Sequence, residues 1–223
     1  MSSVIAPENK VVNISSPTPI DSATDYFCAL ARVLKRLPYH VVDQITTTLL
    51  HAYEEERAVY LFGNGGSAAL ASHFACDLGK GTAMNGSRRF RVLSLTDNIP
   101  ILTAWANDSN YEDVFAEQLR NFVRPGDVVL AISGSGNSPN VLNGLKVARA
   151  AGAYTIGLTG FRGGKLKEIC HLCLIVPCDN MQFIEDLHLC VTHSIFSGLR
   201  SRLLSGLASP AAEAWRNAVP FHP

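Results

Sequence analysis

The stretch Val59-Tyr60-Leu61-Phe62-Gly63-Asn64-Gly65-Gly66-Ser67-Ala68-Ala69-Leu70-Ala71-Ser72-His73-Phe74-Ala75-Cys76-Asp77 decides the architecture. An apolar run stops at glycines and passes straight into a helical pattern, which is how a buried parallel strand, a tight loop and a helix look in sequence. Glycines in the loop let the backbone come close to a ligand, because they carry no Cβ and tolerate positive φ. Ser67 stands where an N-cap is expected. A free helix N-terminus attracts anions through its unpaired N–H groups and its dipole. His73 and Asp77 are spaced i, i+4 and share one face of the helix. One segment therefore joins an anion cradle to two groups able to handle protons or a metal.

Working outward, short apolar runs at 58–62, 90–95, 127–132, 154–158 and 172–176 alternate with helical patterns near 67–79, 99–106, 111–123, 138–151 and 164–169. A long final helix is expected over 181–204. This alternation argues for an α/β fold with a doubly wound parallel sheet and right-handed crossovers. Two amphipathic stretches precede it, about 22–37 and 40–57, separated by the helix breaker Pro38. Phe27, Leu30, Val33 and Leu34 form an apolar face on the first, suited to covering the sheet or a partner subunit. A tail over 1–18, a single domain over 19–204 and a second tail over 205–223 complete the expected organisation.

The chain has 223 residues, 47% of them hydrophobic, with 19 Lys+Arg against 19 Asp+Glu. That length suits one α/β unit, and the balanced charge argues against a broad nucleic-acid footprint. No run approaches the roughly 18 apolar residues of a membrane span, and the N-terminus lacks the pattern of a secretory signal. Six irregularly spaced cysteines do not form a secreted disulfide framework. A cytoplasmic protein is expected.

A second chemical stretch, Val128-Val129-Leu130-Ala131-Ile132-Ser133-Gly134-Ser135-Gly136-Asn137-Ser138-Pro139-Asn140, repeats the order strand, polar loop, helix. Pro139 falls near N1, where its missing N–H is harmless. Three serine hydroxyls and helix N-terminal amides suit a phosphate monoester held without metal. The nucleoside-triphosphate pattern G-x-x-x-x-G-K-[ST] is absent, and the dinucleotide pattern G-x-G-x-x-G is incomplete in both loops. Either loop alone can be an ordinary βα turn. Two of them after separate strands of one sheet place a ligand at the carboxyl ends of those strands.

The third stretch, Gln182-Phe183-Ile184-Glu185-Asp186-Leu187-His188-Leu189-Cys190-Val191-Thr192-His193, lies on the final helix. Apolar Ile184, Leu187, Leu189, Val191 and Ile195 imply a largely buried helix, on which ionisable groups need partners or a job. Spacing alone leaves open whether His188 or His193 belongs with Glu185 in a site. A satisfied core histidine is the favoured reading for His188.

The series GNGGSAA…HF…D, LTAWANDxxYEDVFAEQLR, RPGDVVLAISGSGNSPNVL, TIGLTGFRGGKL and E-D-L-H…H resembles the sugar-isomerase (SIS) domain family, and within it the phosphoheptose isomerases, over roughly residues 22–200. The resemblance implies a three-layer sandwich around a five-stranded parallel sheet and a homotetramer with sites between subunits. It also implies interconversion of sedoheptulose 7-phosphate and D-glycero-D-manno-heptose 7-phosphate. Ser133, Ser135 and Ser138, with Gly134 among them, match the phosphate loop. Asn64, Gly65, Gly66 and Ser67 match the first substrate loop, and Asn107 and Asp108 a further substrate contact. Zinc, where relatives carry it, is held at the positions of His73, Asp77, Glu185 and His193, which selects His193 over His188.

Three departures stand out: Asp77 replaces the usual Glu, Glu185 the usual Gln, and Gly134 a common Thr. Aldose–ketose isomerisation needs a positioned base and acid. The resemblance puts those roles on Asp77 and His193, with Glu185 as a carboxylate able to share or take over the base role. A set of two histidines and two carboxylates also suits zinc. The alternatives are isomerisation of another phosphosugar, or a noncatalytic SIS module that binds a sugar phosphate or a replication-initiator protein. Joint retention of His73, Asp77 and His193 favours an enzyme, and the absence of an amidotransferase domain excludes a complete aminosugar synthase.

Three smaller features are expected to be structural. Cys170 and Cys173 form a C-x-x-C without a second pair, and buried thiols are the expectation. Trp105 is expected to pack in the core, and Arg88, Arg89 and Arg91 to form a solvated edge. Lys80 lies near a position where relatives carry an Arg close to the substrate.

Overall fold

A computed structural model describes residues 20–83 and 88–205. The tail expected over 1–18 lies outside those residues, as does the one expected over 205–223 except for Ser205, which ends the last helix. Two helical segments, α1 (Ala23–Leu34) and α2 (Tyr39–Glu54), come first, and Pro38 stands at the N-cap of α2. Ser22 caps α1, its Oγ accepting the Asp25 N–H at 3.1 Å. The strands are β1 (Ala58–Gly63), β2 (Arg91–Ser94), β3 (Val128–Ile132), β4 (Tyr154–Thr159) and β5 (Leu172–Ile175). Between them run α3 (Gly66–Cys76), α4 (Ile99–Asp108), α5 (Val114–Phe122), α6 (Pro139–Ala150) and α7 (Leu166–Ile169). α8 (Met181–Ser205) closes the fold. The pattern expected over 111–123 divides into a 3₁₀ turn (Tyr111–Asp113) and α5.

The five strands are all parallel, in the order β2-β1-β3-β4-β5. β1 and β3 are buried at every position, as expected of central strands covered on both faces. Their side chains alternate between two cores. Val59 and Leu61 face a core built with α1, α2, α3 and α8. Tyr60 and Phe62 face a second, built with α4, α5, α6 and α7, where Phe62 stacks on Phe115 with ring centres 4.8 Å apart. β2 is an edge strand with Arg91 and Leu93 exposed.

Strand order reverses between β1 and β3, and a ligand crevice opens at such a switch point beyond the carboxyl ends of the strands. Gly63, the last residue of β1, pairs with Ile132, the last of β3. The two Gly/Ser loops therefore start side by side. The sheet order places them together, which neither loop dictates by its own sequence.

Several expected faces are uncovered in the single chain. On α1 only Val33 is buried, while Phe27 is 65% exposed and Leu34 is also exposed. α4 carries an apolar sequence and no buried residue, although Leu102 and Trp105 lean on the second core. Leu189, expected inside, lies on the outer side of α8. The basic run before β2 serves the preceding helix: Arg88 donates to the Glu54 carbonyl at 2.6 Å and Arg91 to that of Glu56 at 2.9 Å. Those bonds satisfy orphan carbonyls at the end of α2.

Candidate active site

The first loop is shaped by Gly65, which takes φ 56° and occupies the N-cap of α3. Ser67 is not the cap. It is buried within the first turn, and its N–H donates to the Asn64 carbonyl at 3.0 Å. A left-handed backbone at Gly65 turns the chain without any capping side chain, which leaves the helix N-terminus free for other groups. The carboxylate of Glu185, reaching across from α8, sits there: a Cβ at Gly66 would lie 3.2 Å from its Oε2.

Two turns further along α3, three side chains converge. His73 and Asp77 come from the end of α3 and His193 from the middle of α8. The two Nε2 atoms are 3.1 Å apart, and Asp77 Oδ2 lies 3.5 Å from that of His73 and 3.9 Å from that of His193. Asp77 also begins a π-helical turn (Asp77–Gly81), a local widening of the helix common at functional sites. Asp77 Oδ2 is buried and has no hydrogen-bond partner. An orphaned carboxylate oxygen is costly unless something compensates it.

Two imidazoles and a carboxylate form a donor set suited to zinc, and bonds of about 2.0–2.1 Å in a tetrahedron put ligand atoms roughly 3.4 Å apart. The three observed separations bracket that edge. His73, Asp77 and His193 thus fit a divalent ion. Glu185, expected as a fourth member, is not in this group and instead lines the same cavity of about 260 Å³ with Gly66, His73 and His188.

His188 is core, as favoured. It is 1% exposed, and its Nε2 lies 3.2 Å from the Thr159 carbonyl, which can only accept, so Nε2 carries the proton. Burial pushes its pKa down to about 4, against the opposing pull of that hydrogen bond. Nδ1 is left as a buried lone pair without a partner.

The serine loop is braced from the end of β4. Thr159 Oγ1 donates to the Gly134 carbonyl at 3.2 Å and the Gly160 N–H does the same at 2.9 Å. Ser133 and Ser138 hydroxyls are 3.2 Å apart, and Ser135 Oγ accepts the Asn137 N–H at 3.2 Å. At Gly134 a Cβ would stand 2.5 Å from the Met181 sulfur, so a larger residue there requires the Met181 side chain to move. Asn107 and Asp108 lie exposed in the last turn of α4, where the Asn107 amide donates to Asp108 at 2.8 Å. Lys80 is exposed in the π turn. Cys170 and Cys173 are free thiols whose pKa burial raises, that of Cys173 to about 12.

Three residues escaped the sequence reading. Asn140 and Tyr111 both bond the side chain of Asn64, and Met181 fills the space beside Gly134. Asn140 stands just after the serine loop, but no spacing rule marks it as Asn64's partner.

The SIS domain family profile matches residues 25–160. A phosphoheptose isomerase of Aliarcobacter butzleri is 44% identical over 166 residues, covering 74% of this chain and 87% of the relative. One from Aquifex aeolicus is 43% identical over 153 residues, covering 69% of this chain and 79% of the relative. Among solved structures, phosphoheptose isomerase GmhA from Neisseria gonorrhoeae superposes with a TM-score of 0.74 at 29% identity, covering 80% of this chain and 96% of that one. The chain belongs to the SIS domain family and, within it, is similar to the phosphoheptose isomerases.

Proposed function

We propose that this phosphosugar isomerase interconverts sedoheptulose 7-phosphate and D-glycero-D-manno-heptose 7-phosphate through an enediol. The observation that carries this reading is the pairing, at one switch point, of a serine loop suited to phosphate with a His73–Asp77–His193 cluster holding an orphaned carboxylate oxygen. In the ketose-to-aldose direction a base takes a proton from C1. The C1–H pair becomes the C1–C2 double bond as the C2 carbonyl π pair moves to O2, which takes up a proton to give the enediol. O1 then gives up its proton, the C1 carbonyl forms, and a proton is delivered to C2.

Asp77 stands among the two histidines, so His73, Asp77 and His193 are the proposed zinc ligands. A bound zinc would polarise the substrate carbonyl. Glu185 is exposed, lines the same cavity and is free of that group, so the base role falls to it. The hydroxyls of Ser133, Ser135 and Ser138 would hold the phosphate, while Asn64–Ser67, Asn107 and Asp108 would line the sugar. Exposed Phe27, Ile99 and Leu189 support the proposed homotetramer, in which apolar faces of α1, α4 and α8 are covered by other copies. Met181 in the place of a loop hydroxyl favours one second reading, the same reaction on a phosphosugar of different length.

The test is a direct isomerase assay with sedoheptulose 7-phosphate, run with zinc and with chelator. Turnover that chelator abolishes supports the full reading, and turnover indifferent to chelator removes the metal from it. No turnover in either condition, with activity on another phosphosugar, moves the assignment to that substrate.

A further inference from the structure

The loops after β1 and β3 are tied together by a reciprocal pair of side-chain amides. Asn64 Nδ2 donates to Asn140 Oδ1 at 2.9 Å, and Asn140 Nδ2 donates to Asn64 Oδ1 at 2.9 Å. A backbone N–H fixes which way round they sit. The Val141 N–H, 2.9 Å from Asn140 Oδ1, can only donate, so that atom is the oxygen and Asn140 presents its NH₂ to Asn64 Oδ1. The Tyr111 hydroxyl, 3.0 Å from Asn64 Oδ1, then donates as well. Asn140 is 2% exposed, and Tyr111 is 59% exposed over the outer side of the pair.

This clasp sits at a strategic place in the chain. Asn64 lies just before the N-cap Gly65 of α3, which carries His73 and leads directly into Asp77, and Asn140 lies in the first turn of α6, just after the serine loop. The sheet brings the two loops side by side, and the amide pair ties the serine loop to the segment that leads into the proton-handling cluster. It takes up Asn64 Oδ1 and one of the two Asn64 amide hydrogens, leaving the other for a substrate.

We infer that Asn140 and Tyr111 are positioning residues that lock Asn64 and, through it, hold the two loops in register for one substrate. The inference rests on the isomerase reading. A substrate anchored by its phosphate at one loop and reacting near the other is sensitive to their separation, and a displacement of about 1 Å can cost 100-fold in rate.

The test uses the full chain with Asn140→Asp and Tyr111→Phe. In Asn140→Asp a carboxylate oxygen replaces the donor facing Asn64 Oδ1. Turning the Asn64 amide over does not help, because it then sets its oxygen against the other carboxylate oxygen. Protonation of the introduced carboxyl restores a donor, and burial opposite an oxygen raises its pKa. The expected kcat is about 10- to 100-fold below wild type near pH 8, with KM within about threefold and the deficit shrinking as pH falls.

Tyr111→Phe removes one donor from an exposed ring, so folding is not at stake, and kcat should fall about two- to fivefold. Wild-type kcat in both variants, or an Asn140→Asp deficit that is flat with pH, overturns the inference. If Asn140→Asp does not fold, Tyr111→Phe decides. If the wild type fails to turn over sedoheptulose 7-phosphate, the functional reading falls on its own account. The clasp is then judged by melting temperature: the gap between Asn140→Asp and wild type closes on acidification if it is right and stays constant if it is wrong.

Discussion

His188 gives the fold a specific acid sensitivity. Its imidazole is held neutral, with Nε2–H on the Thr159 carbonyl and Nδ1 buried, and its pKa is pushed down to about 4 from an ordinary 6.5. Between those values the unfolded chain binds a proton that the folded chain refuses, so stability falls as pH drops. At about pH 7 both states are mostly neutral and the penalty is small, whereas by about pH 5 the linkage amounts to about 2 kcal/mol. That is a large share of the 5–15 kcal/mol typical of a domain. His171 acts in the same direction, because its Nδ1 accepts the Thr155 N–H at 3.0 Å and burial, helped by Arg149, lowers its pKa. A comparison with His188→Gln therefore isolates the buried residue, since glutamine offers an N–H to Thr159 and does not titrate. Urea unfolding of both proteins at several pH values between about 7 and 5 is the assay. The difference in stability between wild type and variant should narrow by about 2 kcal/mol over that range. A constant difference refutes the reasoning, because His188 would then titrate alike in both states.

Two other outcomes follow from the site. Gly134→Thr should destabilise by about 1–3 kcal/mol through collision with the Met181 sulfur, with most of the loss restored by adding Met181→Ala. Additive effects in the melting curves of the single and double variants argue against that packing account. In the carboxylate pair, Glu185→Gln should lower kcat by about 100-fold or more while leaving metal content unchanged, whereas Asp77→Asn should lower bound metal. Retained turnover in Glu185→Gln removes Glu185 as the base, with metal content read by mass spectrometry.

Much of this protein follows from local sequence. Apolar runs that end in glycine specify β1 and β3, because a strand buried on both faces needs side chains that lose nothing on leaving water. The i, i+4 spacing of His73 and Asp77 on one helix put both on one side before any tertiary contact was known. Ser67, by contrast, fits the preferences of an N-cap and is not one, since positive φ at Gly65 turned the chain earlier than the side-chain preference implied. Spacing also failed to choose between His188 and His193, which differ by little more than a turn of α8. Only packing separates them: one is buried with its proton on the Thr159 carbonyl, and the other faces Asp77.

The division between Asp77 and Glu185 belongs to tertiary structure for the same reason. Both are carboxylates on helices, and no pattern says that one joins two histidines while the other rests against the N-terminus of α3. The Asn64–Asn140 clasp joins residues 76 positions apart. Sequence determined the layers, the helices and the residue types of the site, because hydrophobic period and turn chemistry act over a few residues. The tertiary structure decided which polar groups meet, because the strand order that brings two loops together is fixed by burial of the whole sheet.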